Sequence, residues 1–235
     1  MTIAPTRDIA DLTDRVTELR SLVEGAVALA SDPGYARCAP WNVAVAVEPA
    51  AVVFARSARD VAETVRFAAS VGCTVAVAAT GHGALPVGPD SILLHTGEMT
   101  GCDVDPDARV ARVGAGATWQ HVLDAATPYG LAPLCGSSPS VGVVGFLTGG
   151  GIGPLVRTVG VSWDYVRAFE LVTGSGDILR VTPEQHGDLF WGLRGSKSTL
   201  GIVTAVEIDL PLIPEFYGGT IYFDGSHAAS VLHAW

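Results

Sequence analysis

Two glycine-rich loops hold the residues of this sequence that are best suited to bind a ligand. The first loop reads Ala79-Thr80-Gly81-His82-Gly83-Ala84. The second loop, GSSPSVGVVG, occupies residues 136–145. Glycine lets backbone N–H groups come close to a ligand and form an anion-binding nest. Neither loop has a Lys or Arg beside it, so backbone N–H and hydroxyl groups would have to hold a phosphate there. Taken singly, such a loop more often serves only the geometry of a turn, but two of them are consistent with a bound dinucleotide.

The remaining motifs predict no catalytic centre. The histidines are not spaced as H-x-x-x-H or H-E-x-x-H, so no metal site is predicted. The sequence has neither the G-x-S-x-G of a hydrolase elbow nor a G-x-G-x-x-G fingerprint. His82 alone, between two glycines, would more often be a solvent-facing loop residue. The four cysteines form no C-x-x-C pair, which excludes the usual zinc frameworks and gives no support for disulfides, and we expect a reduced cytoplasmic protein.

The charge balance argues against nucleic acid as a partner. The 235 residues carry 24 acidic side chains against 14 Lys and Arg, a formal charge of −10, so no basic surface is available for phosphates. The stretch between Asp124 and Arg157 has no formal charge and is long enough to suggest a membrane span. Four prolines interrupt it, however, and such a helix could not satisfy its backbone in lipid. We therefore expect a buried, loop-rich stretch and no membrane partner.

The elements that must position the two loops follow from hydrophobic periodicity and turn residues. The first half of the chain predicts a helix over 8–31, a strand over 49–57, a helix from the Ser57 cap to Val71, and strands over 74–80 and 91–97. The second half predicts a hairpin over 104–113, a helix over 118–126, a hairpin over 165–181, a helix over 183–193, strands over 201–212 and 217–223, and a helix from His227. This order describes two α/β lobes, with one glycine-rich loop in each.

Three segments in this order resemble a known family. They read AAVVFARSARDVAETVRFAASVGCTVAVAATGHGA, then DARVARVGAGATWQHVLDAATPYGLAPLCGSSPSVGVVGFLTGGGIGPLVRTVGVSWDYV, then DLFWGLRGSKSTLGIVTAVEIDL. The sequence is similar to the PCMH-type FAD-binding domain of the vanillyl-alcohol-oxidase superfamily, in its berberine-bridge-enzyme-like branch. The resemblance covers about residues 51–212. It implies an α+β fold of two α/β lobes with FAD extended between them.

The resemblance also assigns residues to the cofactor. Residues 79–84 match the loop that wraps the pyrophosphate, and His82 matches the histidine that bonds to the flavin 8α-methyl. The other matching positions, beside the flavin ring, the ribityl chain and the dinucleotide backbone, are Ser137, Ser138, Val141, Gly142, Gly145, Gly149, Gly150, Gly151, Gly153, Gly201, Ile202 and Val203.

The sequence departs from the family pattern at informative places. Doubly tethered members have a cysteine immediately before the proline of the second loop, where this chain has Ser138. We therefore predict a single covalent link, through His82. The first loop of the family usually begins Arg-x-Gly, but here Ala78 and Thr80 replace the Arg and the Gly. The family's Asn-Phe before the last glycine is Thr199-Leu200.

We expect a FAD-binding domain over residues 1–212, with lobe one at about 40–99 and lobe two at about 100–212. Residues 213–235 match the beginning of a substrate domain that is mostly missing, and the family's catalytic base lies in that missing part, so none is named. The resemblance implies an FAD-dependent oxidase that takes a hydride from an alcohol, sugar or secondary metabolite onto flavin N5 and passes electrons to O2. One alternative is a non-catalytic flavin carrier that pairs through residues 213–235 with another chain or a second copy. Another is an empty relic without flavin.

Overall fold

The computed structural model shows two α/β lobes packed against each other and describes residues 9–197 and 199–235. The helices are α1 (Ile9–Leu22), α2 (Ala58–Val71), α3 (Trp119–Ala126), α4 (Val143–Leu147), α5 (Val156–Val159), α6 (Gly187–Leu193) and α7 (Ala228–Ala234). The strands are β1 (Ala26–Ala28), β2 (Ala51–Phe54), β3 (Thr74–Ala78), β4 (Ser91–His95), β5 (Cys102–Asp105), β6 (Val110–Gly114), β7 (Val166–Val172), β8 (Ile178–Val181) and β9 (Ile202–Asp209).

The first lobe is a four-stranded sheet in the order β1-β2-β4-β3. Strands β2, β4 and β3 are parallel, and β1 pairs antiparallel with β2. Every residue of β2 is buried, as expected for a parallel strand that is covered on both faces. Helices α1 and α2 pack on one face, where Leu19 and Phe67 meet Val53 and Ile92. The predicted strand–helix–strand–strand order of this lobe is confirmed.

The ends of α2 follow the predicted signals. Ser57 is the N-cap, and its hydroxyl accepts a hydrogen bond from the Asp60 N–H at 3.2 Å. Gly72 ends the helix with φ at 71°, a left-handed conformation that glycine adopts without steric cost. These local signals place the helix between β2 and β3, and β3 leads directly into the first glycine-rich loop.

The helix predicted over residues 8–31 is wrong beyond Leu22. Residues 26–28 instead form β1 beside β2, so the first lobe begins well before the expected residue 40. The cause is a buried carboxylate from α2: Asp60 accepts hydrogen bonds from the N–H groups of Glu24 and Gly25 at 2.9 and 3.1 Å. A Cβ at Gly25 would stand 1.9 Å from the Phe54 carbonyl oxygen, so only glycine allows this approach. Residue 8 lies outside the described residues.

The second lobe is a five-stranded antiparallel sheet in the order β5-β6-β9-β7-β8. Both predicted hairpins are confirmed, as are the long strand β9 and helix α3. Trp119 and Phe169 are fully buried in its core. Helix α6 begins later than predicted, because residues before it form a turn in which the Thr182 hydroxyl accepts the N–H groups of Glu184 and Gln185.

The predicted strand over 217–223 is wrong. The structure gives this segment no regular secondary structure and leaves its side chains exposed; Ile221 and Tyr222 are 78% and 89% exposed. An extended segment becomes a strand only when a neighbour accepts its backbone hydrogen bonds, and in the described part of the chain none pairs with it. The terminal helix α7 forms as predicted.

The lobes meet through an apolar cluster and a short polar seam. Val61 and Val65 of α2 pack against Val172 and Ile202 of the second sheet. In the seam, residues 96–99 cross residues 114–117, and the Gly116 N–H donates to the Met99 carbonyl at 3.0 Å. The predicted α+β fold of two lobes is therefore confirmed. Across the described residues, the helices are all too short or too polar to traverse a bilayer.

Candidate functional site

The first glycine-rich loop begins where β3 ends, at the carboxyl edge of the parallel strands. Ligands of open α/β sheets bind outside this edge. Gly81 has φ at 69°, and a Cβ there would stand 3.2 Å from both Pro40 Cα and the Trp41 nitrogen. The Gly81 carbonyl accepts the N–H groups of Trp41 at 3.3 Å and Ala84 at 3.4 Å. Glycine at position 81 is therefore required by backbone conformation and by close packing.

The loop presents backbone N–H groups that the fold does not use. Among the described residues, no backbone carbonyl accepts a hydrogen bond from the N–H groups of residues 80–83. His82 and Gly83 are exposed, and Ala79, Thr80, Gly81 and Ala84 are half-buried. A Cβ at Gly83 would meet no atom within 4 Å, so open space lies beside it. Consecutive free N–H groups next to a left-handed glycine are the arrangement that binds anions.

The second glycine-rich loop lies next to the first. Gly142 pairs with Thr118 in an isolated bridge, flanked by hydrogen bonds from Trp119 N–H to Val141 O and from Val143 N–H to Ala117 O, both at 3.0 Å. A Cβ at Gly142 would lie 3.6 Å from Thr80 Cγ2. The structure therefore brings Thr80 and Gly142, which are far apart in sequence, close together where the lobes meet.

The other predicted residues of the second loop lie on both sides of this contact. Ser137 and Gly145 are exposed, Ser138 and Val141 are half-buried, and the Ser138 and Ser140 hydroxyls are hydrogen-bonded at 2.9 Å. The stretch that the sequence predicts as buried is thus only partly so; Ile152 is 74% exposed. Exposed hydroxyls and a partly open loop leave room for a ligand on this side.

The glycine run 149–153 is needed by the chain itself. Gly150 and Gly151 have φ at 110° and 75°, and the Gly151 carbonyl accepts the Ser162 N–H at 2.9 Å. A Cβ at Gly153 would stand 2.2 Å from the Cys135 carbonyl oxygen, and one at Gly149 would stand 2.3 Å from Lys197 Nζ. Backbone conformation explains Gly150 and Gly151, and close packing against the Cys135 carbonyl explains Gly153. The contact of these four glycines with a cofactor stays a prediction.

The third predicted group lies at the start of β9. Gly201 and Ile202 line a crevice of about 250 Å³ between α2 and the end of β7, and none of the residues lining it belongs to 79–84. Val203 is buried in the core of the second lobe, and the next residue, Thr204, accepts the Ala115 N–H at 3.0 Å. The contact of Gly201, Ile202 and Val203 with the dinucleotide stays a prediction.

Two residues at the site escaped the sequence reasoning. The centres of the Trp41 and His82 rings lie 5.2 Å apart, and the ring planes are inclined to each other by 39°. Lys197, the single lysine of the chain, donates from Nζ to the Gly145 carbonyl at 2.7 Å and has a left-handed φ of 59°. In the sequence, Trp41 is an isolated tryptophan after a proline, and Lys197 is a lone lysine near glycines. Neither residue belongs to a periodic pattern that would predict its position.

A charged cluster borders the first lobe at the same carboxyl edge. Glu98 accepts hydrogen bonds from Arg37 at 3.0 Å and Arg56 at 3.1 Å, and these two partners hold the pKa of its carboxyl below the usual range. Arg37 also lies over the Phe54 ring, 4.0 Å from its centre. Burial lowers the pKa of His95, whose Nδ1 accepts the Gly97 N–H at 3.1 Å. Within the described part of the chain, no group of three or more metal-ligating side chains is close enough to hold an ion.

Comparison with known proteins identifies this arrangement. Residues 49–182, more than half of the chain, match the model of a family described as the FAD binding domain. The chain belongs to the FAD-binding domain family. The matched region contains the first loop, the second loop and the seam between the lobes. The FAD that the sequence resemblance implies is thus supported at the level of the family.

Named relatives share this domain. A Fusarium proliferatum protein, FAD-dependent monooxygenase FUP4, is 37% identical over 74% of this chain and 34% of its own length. The crystal structure of 6-hydroxy-D-nicotine oxidase from Arthrobacter nicotinovorans is 30% identical, with a TM-score of 0.76, over 80% of this chain and 42% of that chain. Glucooligosaccharide oxidase from Acremonium strictum, described with a 6-S-cysteinyl, 8α-N1-histidyl FAD, is 25% identical, with a TM-score of 0.71, over 82% and 42%. The chain spans less than half the length of these relatives.

The residues present fit FAD. The N–H groups of residues 80–83 suit a pyrophosphate, and the proximity of Thr80 and Gly142 brings the two predicted cofactor loops together. The first loop therefore offers neutral hydrogen-bond donors to the negatively charged part of the cofactor. The expectation that neither loop has a cation beside it is wrong for the second loop, because Lys197 Nζ donates to the Gly145 carbonyl.

Proposed function

We propose that this chain is the cofactor domain of an FAD-dependent oxidoreductase of the oxidase type. The observation that carries the proposal is the close approach of the two glycine-rich loops at Thr80 and Gly142. Beside it lie the N–H groups of residues 80–83, which no backbone carbonyl of the described residues accepts. The substrate class is an alcohol, sugar or secondary metabolite that gives up a hydride from a C–H bond. FAD, when bound, supplies the hydride acceptor and the route of two electrons to O2.

The residues of the chain bind and orient the cofactor. The N–H groups of residues 80–83 would hold the pyrophosphate, since consecutive amides stabilise an anion without a Lys or Arg. The second loop, residues 136–145, would lie along the flavin ring and ribityl chain, with Ser137 and Ser138 as hydroxyl donors. Lys197 holds this loop in place through the Gly145 carbonyl, and no side chain of the chain is assigned as the catalytic base.

His82 is proposed as the single covalent attachment of FAD. Its exposed imidazole would supply the nitrogen lone pair that bonds to the 8α carbon of the cofactor. The imidazole would give up its N–H proton, and FAD, when bound, would supply the 8α carbon, the second proton and the route by which two electrons reduce O2 to H2O2. No cysteine stands at position 138, so a second link of the kind described for the glucooligosaccharide oxidase is not proposed there.

One observation favours a second candidate, a flavin carrier that works with a partner. Residues 214–230 are exposed throughout, and they include Phe216, Tyr217, Ile221, Tyr222 and Phe223. An exposed apolar stretch of this kind is typical of a surface that another chain, or another part of the same protein, covers. In this candidate the domain holds FAD but gains a substrate only from its partner.

The flavin link is tested on the purified chain by denaturation followed by mass analysis of the His82 peptide. We expect a yellow, fluorescent pellet and an FAD-sized mass increase on that peptide. His82→Ala should release the flavin on denaturation while the native variant still binds FAD reversibly. His233→Ala removes an exposed histidine from α7 and is the matched control, which should retain the link. A colourless pellet from the wild type refutes the covalent link, and failure to bind added FAD refutes the proposed function.

Anaerobic reduction separates the enzyme from the carrier. A panel of alcohols, sugars and secondary metabolites is mixed with the flavin-loaded chain in the absence of O2. Bleaching of the flavin absorption by a member of the panel, reversed on admitting air, is expected of an oxidase. A flavin that dithionite bleaches but no member of the panel reduces is the result expected of the carrier.

A further inference from the structure

An exposed tryptophan lies on the histidine of the first loop. Trp41 is 73% exposed and lies in a segment, residues 39–50, without helix or regular strand. The centre of its ring is 5.2 Å from the centre of the His82 ring, and the two ring planes are inclined by 39°. Exposing this much aromatic surface is unfavourable, because burying a large side chain stabilises a fold. Trp41 is therefore little stabilised by burial in the core, and its ring lies beside that of His82.

The position of Trp41 relative to His82 is held by the backbone. The Trp41 N–H donates to the Gly81 carbonyl at 3.3 Å, one residue before His82. Six residues further on, Val47 pairs with Val87 in a parallel bridge, with hydrogen bonds from Glu48 N–H to Val87 O at 2.9 Å and from Val87 N–H to Ala46 O at 3.0 Å. The two segments are thus hydrogen-bonded within the loop, at Gly81, and again after it, at Val87.

A glycine at position 81 makes the approach possible. A Cβ there would lie 3.2 Å from both Pro40 Cα and the Trp41 nitrogen. The segment 40–41 therefore packs directly on the backbone that carries His82. Because the backbone of Trp41 is bonded to that of Gly81, the indole stays near the His82 ring and limits the side-chain angles open to it.

We propose that Trp41 is a positioning residue that orients the His82 imidazole for attachment to FAD. The inference rests on the proposed covalent link through His82. Bond formation requires the imidazole nitrogen to point at the 8α carbon, and a freely rotating exposed histidine would spend little time in that orientation. An aromatic neighbour on one face of the ring removes many of the other orientations, so attachment is faster without tighter cofactor binding.

Four variants separate positioning from simple packing. Trp41→Leu keeps an apolar side chain but removes the aromatic ring, Trp41→Ala removes both, and Trp41→Phe keeps a smaller aromatic ring. Trp191→Ala is the matched control, because Trp191 is 75% exposed and lies in α6, outside the first loop. Attachment is followed after adding FAD to the cofactor-free chain, by flavin fluorescence of denatured samples and by the mass of the His82 peptide.

A second measurement isolates reversible binding. The Trp41 substitutions are repeated in the His82→Ala background, and the affinity for added FAD is measured by quenching of flavin fluorescence. Positioning predicts attachment about three- to tenfold slower in Trp41→Leu and Trp41→Ala, near wild-type attachment in Trp41→Phe, and unchanged FAD affinity. Circular dichroism and thermal melting confirm that each variant is folded.

The outcomes are distinct. Wild-type attachment rates in Trp41→Leu and Trp41→Ala overturn the inference, as does a slower rate matched by an equal loss of FAD affinity. Failure of Trp41→Phe to restore attachment also overturns it, because the aromatic ring is then not the cause. A wild-type chain that binds FAD reversibly but never attaches it refutes the covalent link first, and the role of Trp41 falls with it.

Discussion

Replacing Gly116 by alanine tests whether the seam between the lobes positions the cofactor loops. Gly116 is buried where residues 114–117 cross residues 96–99. A Cβ at this position would stand 2.2 Å from the Thr96 carbonyl oxygen and 2.9 Å from the Gly97 Cα. Carbon and oxygen atoms ordinarily approach no closer than about 3.3 Å, so the strands of the seam must separate by about 1 Å.

The energetic effect follows from three contributions. Overpacking costs about 1–3 kcal/mol, and weakening the bond from Gly116 N–H to Met99 O costs about 0.5–1.5 kcal/mol more. Alanine restricts the unfolded chain and returns about 0.4–1 kcal/mol. We expect a net loss of about 2 kcal/mol in the free energy of unfolding and a melting temperature lower by about 4–8 °C.

The same displacement should weaken FAD binding. Residues 117 and 118 continue from the seam into the bridge with Gly142, so movement of Gly116 shifts the second loop against Thr80. An error of about 1 Å in the position of binding groups is costly, and we expect FAD affinity to fall at least about tenfold in a fluorescence titration.

Gly187→Ala is the matched control for this experiment. Gly187 is exposed at the start of α6, and a Cβ there would meet no atom within 4 Å. Alanine at this position should leave the melting temperature equal or slightly higher, because it favours the helix. If Gly116→Ala melts and binds FAD like the wild type, the seam does not hold the loops as described.

Three further predictions concern single side chains. Lys197→Met removes the donor to the Gly145 carbonyl and should cost about 0.5–1.5 kcal/mol in a denaturant titration, together with weaker FAD binding; unchanged values of both would show that Lys197 does not hold the loop. Glu98→Gln should lower the free energy of unfolding at neutral pH, and the difference from the wild type should disappear as the pH falls through the lowered pKa of Glu98, because a carboxyl with a depressed folded pKa stabilises only while it is ionised. A difference that persists in acid would contradict the role of Arg37 and Arg56. Burial raises the pKa of the Cys102 thiol to about 11, two units above its ordinary value, so iodoacetamide should alkylate it about 100-fold more slowly in the native chain than in the denatured chain; equal rates, measured by peptide mass, would refute this.

Elements with their signals close together in the sequence were predicted well. Helix α2 is marked by Ser57 at one end and Gly72 at the other, and the structure uses both. The hairpin β7–β8 turns at residues 174–176, as its glycines predict. In these cases the residues that decide the conformation are within a few positions of it, so the pattern alone is sufficient.

Elements decided by a distant partner were not predicted. The end of α1 depends on the buried carboxylate of Asp60, more than thirty positions away, which accepts the N–H groups of residues 24 and 25. The segment 217–223 has the composition of a strand but finds no partner among the described residues. Periodicity reports which face of a segment is apolar and says nothing about what that face or edge will meet.

For the candidate site, the sequence alone determined the residue types: glycines where the backbone must turn or pack closely, a histidine between two of them, and hydroxyls in the second loop. Only the tertiary structure decided which of them meet. It set Thr80 near Gly142, brought the Trp41 ring near the His82 ring, and placed Lys197 at the Gly145 carbonyl. The physical reason is that these contacts join segments from different parts of the chain, and their positions depend on how two sheets pack together and not on any local pattern.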